Sequence, residues 1–491
     1  TAGNRCGIGG PLVMEIENGL GQVRIERRDV MGEPVAVYDD ACGEVTYGYD
    51  AIGNLVEVAG ADGAAVHMAY DAAGRRISND DPDKGHWRYA WNALGEMTRQ
   101  LDAKGQAQDF EYDSMGRVVR RLELSGGDSL TDTAYTVEHQ ETTTWVNGTA
   151  SSTRGKSQAA EVTYRQGVAG AVVHRQQFAF DGLGRVAETI TTIGDETFSE
   201  STTFDRHGRI FQSFDASGDY RGLRYRYNEH GHLEQVVEAR EGVDGVVYRD
   251  IVARDAHGNV SYAVLGNGVE VFATHDPSSG RVETLEAYGA SGQEVQRVDY
   301  VFDVAGNLLS RNDRSGSRDL LEAFYYDELN RLTRVELTDA AANLGSPLET
   351  LALQYDNVGN ILYKSDVGQY QYGGGGAGPH AVTRAGGMAF QYDANGNQVS
   401  GDGRTIEYSV FDKATRIAPS LREAVVESHW SSFRPGTPDG LPLVGETRVE
   451  GLLQSEDVNA TAAACRQLGM RMRNEGGAMV LTGVGADGLR A

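Results

Sequence analysis

A short motif that recurs along most of the chain constrains its fold more than any other feature. The motif is an aromatic residue, Asp or Asn, two variable residues, Gly and a polar residue. Its first four copies begin at Tyr49, Tyr70, Trp91 and Tyr112, spaced 21 residues apart, and later copies are less evenly spaced. Self-similarity of this kind indicates an array of repeated supersecondary units.

The physical chemistry of one motif predicts a β-hairpin. Asp at the first turn position accepts backbone N–H bonds, and Gly at the fourth accepts a positive φ, as in a type I turn closed by a glycine bulge. Asn330 takes the glycine position in one copy, and Asn tolerates the left-handed region better than most residues. The predicted turn residues are Tyr49, Asp50 and Gly53; Tyr70, Asp71 and Gly74; Tyr112, Asp113 and Gly116; Phe180, Asp181 and Gly184; Phe302, Asp303 and Gly306; Tyr355, Asp356 and Gly359; and Tyr392, Asp393 and Gly396.

Composition fits an array of hairpins and excludes two other classes. Gly makes up 63 of 491 residues without the strict register of collagen, and 40% of the residues are hydrophobic, which is too many for a disordered chain. One hairpin is marginally stable in water, so neighbouring hairpins must pair edge to edge, and the sheet must coil because strands twist. The predicted fold class is therefore all-β: tandem β-hairpins in a long spiralling sheet.

Charge, hydropathy and cysteine content limit the kinds of partner and site that we expect. The formal net charge of −26 argues against nucleic acid, because a duplex-binding surface needs a cationic stripe. No apolar run is long enough to predict a transmembrane span. The three cysteines, Cys6, Cys42 and Cys465, form neither a disulfide framework nor a metal motif. A bridge between Cys6 and Cys42 is possible, but free thiols are the expected state.

The array resembles the rearrangement-hotspot (RHS), or YD-repeat, proteins over about residues 1–418. Beyond the motif, the resemblance rests on residues 18–23, 378–383 and 403–417. It implies a spiralling shell, a secreted or cell-surface location although no signal peptide is visible, and an enclosed C-terminal effector, as in polymorphic toxins. No plug segment, self-cleavage motif or effector is visible after Ile417, so we expect a shell without them.

The tail departs from the repeats. Residues 419–445 resemble a C-terminal segment of flavin-dependent amino-acid and glycine oxidases, and residues 446–491 resemble an early segment of enolpyruvylshikimate-phosphate synthase. A helix through 465–470, with Ser455 as candidate N-cap, is predicted there. Neither stretch carries the remaining substrate or dinucleotide motifs of its family. We therefore expect a small irregular or helical tail with no catalytic residue, cofactor or metal.

Two function classes remain from the sequence. The first is a structural shell that encloses, displays or delivers an effector. The second is a module that binds carbohydrate or a surface protein, for example through Trp87, Tyr89 and Trp91. An enzyme derived from the tail is a more distant alternative, and a metal site at His230 and His232 is disfavoured because both lie in an ordinary repeat turn.

Overall fold

The computed structural model describes residues 6–9, 12–126, 130–131, 136–146, 158–217, 222–240, 243–339, 347–410, 412–419, 446–450, 471–475 and 478–482. The chain divides into two compact units, Thr1–Gln371 and Tyr372–Ala491. All regular elements in these described ranges are β-strands. No helix among them is long and apolar enough to cross a membrane.

Thirty-two of the described strands belong to one antiparallel sheet that is not closed, and the all-β prediction is confirmed. The first sixteen strands are β1 Val13–Glu17, β2 Val23–Arg28, β3 Pro34–Tyr38, β4 Glu44–Tyr49, β5 Leu55–Ala59, β6 Ala65–Tyr70, β7 Arg76–Asp81, β8 Gly85–Trp91, β9 Met97–Leu101, β10 Ala107–Tyr112, β11 Val118–Ser125, β12 Thr136–Trp145, β13 Ala159–Gln166, β14 Val172–Phe180, β15 Val186–Ile193 and β16 Glu196–Phe204. The next sixteen are β17 Ile210–Phe214, β18 Gly222–Tyr227, β19 Leu233–Arg240, β20 Val243–Arg254, β21 Val260–Leu265, β22 Glu270–His275, β23 Val282–Tyr288, β24 Glu294–Phe302, β25 Leu308–Asp313, β26 Leu320–Tyr326, β27 Leu332–Asp339, β28 Glu349–Tyr355, β29 Ile361–Lys364, β30 Gly368–Gly374, β31 Ala377–Ala385 and β32 Met388–Ala389.

Two smaller sheets follow. The first contains β33 Gln391–Tyr392, β34 Gln398–Gly401, β35 Arg404–Tyr408 and β36 Ala414–Pro419, and the second contains β37 Glu446–Glu450, β38 Arg471–Glu475 and β39 Ala478–Thr482 in the order β37-β39-β38. The oxidase-like stretch, apart from Pro419, and the helix expected through 465–470 lie outside the described residues.

Every strand from β1 to β29 pairs antiparallel with the next one along the chain, as in β4 with β5 and β10 with β11. Turns therefore alternate between the two ends of the strands. Every copy of the motif before residue 371 follows an even-numbered strand, so these turns share one end of the sheet, which we call the motif rim. The turns after odd-numbered strands form the opposite rim.

The sheet of the first unit coils until its two rims meet. Gln22, beside the first turn of the opposite rim, exchanges side-chain hydrogen bonds with Asn330 of the motif rim, at 2.9 and 3.2 Å. Val304 packs over Gly19 so closely that a methyl group at Gly19 would lie 3.1 Å from Val304 Cγ2. Residues about 300 positions apart are therefore neighbours, and successive turns of the spiral stack rim on rim.

The buried core of the first unit is divided into small clusters rather than one centre. One cluster contains Ile25, Ala36 and Tyr38, and another contains Leu101, Ala107 and Leu124. Such small clusters suit a sheet whose repeats contact mainly their neighbours.

A disulfide joins Cys6 to Cys42, with the Cα atoms 5.5 Å apart, although free thiols were expected. Cys6 packs against the cluster around Ile25, which brings it to the turn that contains Cys42. Cys42 occupies the glycine position of that turn with φ of 65°, and its N–H donates to Asp39 O at 3.0 Å. The bridge spans 36 residues, so local sequence patterns gave no indication of it.

The interval that interrupts the regular spacing, residues 121–178, continues the same sheet with longer strands. Strands β11 to β14 have eight to ten residues, whereas β3 to β6 have five or six. Gly373 to Gly376 all have positive φ and lie where β30 turns into β31.

Candidate functional site

The turn at Asp50 shows how one motif is built. Gly53 N–H donates to Asp50 O at 3.1 Å, and Asp50 N–H donates to Asn54 O at 2.9 Å. The Asp50 carboxylate oxygen Oδ1 accepts the N–H groups of Ile52 and Asn54 at 3.0 and 2.8 Å. Gly53 has φ of 88°, in the left-handed region where a side chain is unfavourable. The aromatic residue ends the incoming strand at a register shift, so Tyr49 pairs with Leu55.

The other predicted turns place their residues in the same way. The Asp side chain accepts the N–H groups two and four residues later at Asp71, Asp113, Asp181, Asp356 and Asp393. Asp303 differs slightly, because it accepts from Gly306 and Asn307. The motif glycines with positive φ are Gly74, Gly116, Gly184, Gly306, Gly359 and Gly396. Asn330 stands in for glycine with φ of 59°.

The side chain of the residue after the glycine donates a hydrogen bond to the second carboxylate oxygen, Oδ2, of the turn Asp. Arg75 Nε donates to Asp71 Oδ2 at 2.7 Å, and Asn54 Nδ2 donates to Asp50 Oδ2 at 2.8 Å. These side-chain bonds, with the backbone N–H groups, lower the pKa of Asp71 and Asp50. The turn carboxylates are therefore acceptors committed to their own turns, and they are poor candidates for proton donors.

Tyrosine and tryptophan side chains at the aromatic position join many of the repeats to the one before. Tyr112 Oη donates to Met97 O at 2.8 Å, and Met97 lies two residues after the glycine of the preceding motif. The same bond recurs from Tyr49 to Pro34, Tyr227 to Ile210, Tyr326 to Leu308 and Tyr355 to Leu332, and through the indole N–H from Trp91 to Arg76 and Trp145 to Val118. Tyr70 differs, because its hydroxyl lies 3.8 Å from Met68 Sδ, and the motifs with Phe180, Phe204 and Phe302 have no hydroxyl to donate.

Arginine side chains add a second coupling along the motif rim. The guanidinium of Arg185 lies over the Phe204 ring, 3.9 Å from its centroid, while its Nε donates to Asp181. Each such arginine binds the carboxylate of its own turn and stacks on the aromatic residue of a later strand. The further pairs are Arg117 with Trp145, Arg209 with Tyr227 and Arg331 with Tyr355. These tyrosine and arginine contacts were not anticipated from the sequence.

The proposed aromatic platform lies on β8. Trp87, Tyr89 and Trp91 are all half-buried. The indole N–H groups of Trp87 and Trp91 donate to backbone carbonyls at 2.9 Å, and Arg76 lies 5.1 Å from the Tyr89 ring centroid. The three rings are thus already used in packing, but part of each remains exposed.

The histidine pair at residues 230 and 232 sits in a repeat turn. Both backbone N–H groups donate to Asn228 Oδ1 at 3.0 Å, which is the ordinary turn pattern. Within the described part of the chain, no group of three or more His, Cys, Asp or Glu side chains is arranged to hold a metal ion.

One buried polar cluster was missed by sequence reasoning. Glu123 on β11 is 1% exposed and accepts a hydrogen bond from Tyr164 Oη at 2.9 Å. His139 Nδ1 lies 3.2 Å from the other Glu123 oxygen, and the His139 ring stacks on Tyr164 with centroids 5.0 Å apart. Burial raises the pKa of Glu123, and burial together with the neighbouring carboxylate raises the pKa of Tyr164.

Comparison with known proteins agrees with this geometry. The model of the RHS repeat family matches residues 49–86. The fold resembles the crystal structures of TcdB2-TccC3-Cdc42 (TM-score 0.59, 16% identity, 81% of this chain and 22% of that one) and of TcdB2-TccC3 (TM-score 0.56, 14% identity, 88% and 23%). The chain therefore carries an RHS repeat, as its sequence predicted, and shares the all-β fold of these structures. It spans less than a quarter of the length of these structural relatives.

Short matches to an enzyme were also found. The 3-phosphoshikimate 1-carboxyvinyltransferases of Methylorubrum populi and Methylorubrum extorquens are 52% and 48% identical to this chain over 52 residues. Each match covers 10% of this chain and 12% of the enzyme. This is the synthase resemblance expected from the sequence.

Proposed function

We propose that the chain is part of a non-enzymatic RHS-type scaffold that encloses or displays an effector. The observation that carries the proposal is the use of the motif residues. Asp and Gly form most of these turns, and motif tyrosines and tryptophans, as at Tyr112, bind the backbone of the preceding repeat. The residues that recur most often are thus engaged in building a continuous coiled wall.

The electrostatics of the turns support a structural role. A general acid needs a pKa raised toward the working pH, whereas the hydrogen bonds around Asp50, Asp71 and Asp113 lower theirs. Each of these carboxylates already accepts bonds from its own turn. The abundance of paired carboxylates therefore follows from the number of turns.

A secreted or cell-surface location is part of the proposal. The Cys6–Cys42 disulfide supports it, because disulfides persist mainly in oxidising compartments. The partner that we propose is an effector carried by the complete protein, by resemblance to toxin shells. Neither nucleic acid nor a membrane span is part of the proposed function.

Enclosure can be tested with a protease-sensitive peptide appended to the C-terminus of the full chain. A scaffold that encloses its cargo should slow cleavage of that peptide relative to the same peptide appended at the N-terminus. Equal cleavage at both ends would contradict enclosure and leave display as the scaffold's role. Electron microscopy of the same sample should show a curved wall.

Binding of carbohydrate or a surface protein is the second candidate, favoured by the half-exposed rings of Trp87, Tyr89 and Trp91. Saturable binding to a glycan array that is lost in Trp87→Ala would establish it. The tail enzyme is tested by thermal melting with shikimate 3-phosphate or flavin, since a ligand that binds the folded state raises the melting temperature. We expect no shift with either compound.

A further inference from the structure

Large apolar side chains stand at the tips of several motif-rim turns. They occupy the third turn position, between Asp or Asn and Gly, where the hairpin itself makes no use of the side chain. Ile52 is 71% exposed, Leu94 84%, Met115 62% and Leu183 80%. Four exposed apolar tips on one rim make this rim a candidate interface.

Elsewhere in this chain, apolar side chains at the third turn position are half-buried. Leu329 and Val358 also stand third in their motif turns, but both are half-buried. The Leu329 turn meets the first turn of the opposite rim through the Gln22–Asn330 bonds, and Asn357 of the Val358 turn lines one cavity with residues 41–44 and 59–61 at the next two opposite-rim turns. The structure thus shows the kind of surface that covers this rim, namely a row of small-residue turns from the opposite rim.

On the opposite rim, the late repeats have turns that resemble the turn at residues 18–21. The turn at residues 289–292, Gly-Ala-Ser-Gly, has the same two backbone bonds as the turn at residues 18–21. Its tip residues Ala290 and Ser291 are exposed, as are Gly266 and Asn267 of the turn before it on the opposite rim. One molecule therefore presents both halves of the contact at different places.

We propose that the exposed motif rim of the early repeats binds the opposite rim of the late repeats in a second copy of this chain. The contact repeats between molecules the stacking found within one molecule. It is head to tail, because the two surfaces differ, so it propagates instead of closing as a symmetric dimer. The inference goes beyond the scaffold function and holds whether or not an effector is enclosed.

Charge sets the conditions for this association. Each copy carries a net charge of −26, so two copies repel at low ionic strength. Salt screens that repulsion and leaves the apolar tips to drive contact. Association should therefore increase with salt, unlike association driven by ion pairs.

Sedimentation velocity of the full chain over a range of concentration and salt tests the proposal. The unmodified chain should associate beyond dimers at high salt. Leu94→Asp combined with Leu183→Asp blocks the motif rim, Ala290→Glu blocks the opposite rim, and each of these two variants alone should remain monomeric. The matched control is Val252→Asp, a position 54% exposed within β20 and not at a turn tip, which should associate as the unmodified chain does.

Mixing the two blocked variants gives the decisive result. Each retains the surface that the other has lost, so the mixture should form dimers and nothing larger. A chain that is monomeric under all conditions would overturn the proposal. Association that persists in both blocked variants would also overturn it, because the contact would then lie elsewhere, for example at an edge strand.

Discussion

Replacing Tyr112 by Phe removes a single hydroxyl that joins two repeats. That hydroxyl donates to Met97 O at 2.8 Å, and the half-buried ring keeps its packing, as the phenylalanines at positions 180 and 302 do in their own motifs. The net value of such a bond is about 1 kcal/mol. We therefore expect the local opening equilibrium of β9 to β11 to rise about fivefold, since 1.4 kcal/mol corresponds to about a factor of ten.

Hydrogen–deuterium exchange of peptides from β9 to β11 measures this directly, because exchange reports local opening free energies. A global melt is less suitable, since long repeat arrays need not unfold in one step. Tyr70→Phe is the matched control. Its hydroxyl lies 3.8 Å from Met68 Sδ and binds no carbonyl of the preceding repeat, so exchange around β6 should hardly change. Equal effects in the two variants would refute the coupling role of the motif hydroxyl.

Three further predictions concern single features of the first unit. Gly53→Ala should cost about 1 kcal/mol of local stability, measured by amide exchange in β4 and β5, because φ is 88° while no atom lies within 4 Å of the added methyl. Gly53→Asn should cost less, as Asn330 holds the same conformation. Burial raises the pKa of Glu123 in the folded state. The free energy of unfolding therefore falls as the pH rises through the pKa that Glu123 has in the unfolded chain. Glu123→Gln should stabilise the protein at pH 7 but not at pH 4. Reduction of the Cys6–Cys42 bridge should destabilise the first hairpins by about 3 to 4 kcal/mol in the chain-entropy account, measurable as faster amide exchange in β1 to β4; unchanged exchange would contradict it.

The hairpins could be predicted from sequence because their chemistry is local. Asp50 and Gly53 lie within one turn, and the preferences of these residue types determine its geometry. The tyrosine bonds could not be predicted in the same way. Tyr112 reaches a carbonyl 15 residues earlier, but Tyr355 reaches one 23 residues earlier, so no fixed spacing marks the partner. The acceptor is defined by its position two residues past the preceding turn, which is visible only once the strands are paired.

Contacts between distant repeats were even harder to predict from the sequence. The Gln22–Asn330 bond depends on the summed twist of the strands between them, and a small change in twist per strand would move the meeting point by a whole repeat. The Glu123 cluster lies in the interval where the motif is absent, so no repeat pattern pointed to it. The Cys6–Cys42 bridge likewise depends on how the N-terminal segment packs onto the first cluster.

The positions of the motif have different roles, and only some of them are needed to form the hairpin. Asp, Gly and the aromatic residue are each engaged within the sheet, whereas the side chain at the third turn position makes no contact that the hairpin requires. Leu94 and Leu183 are exposed there, while Leu329 is half-buried in a turn where two rims meet. The side chain at this position can therefore vary without loss of the hairpin, and Leu329 stands next to Asn330, which bonds across the two rims. The tips are thus the positions at which stacking can change while the fold is kept.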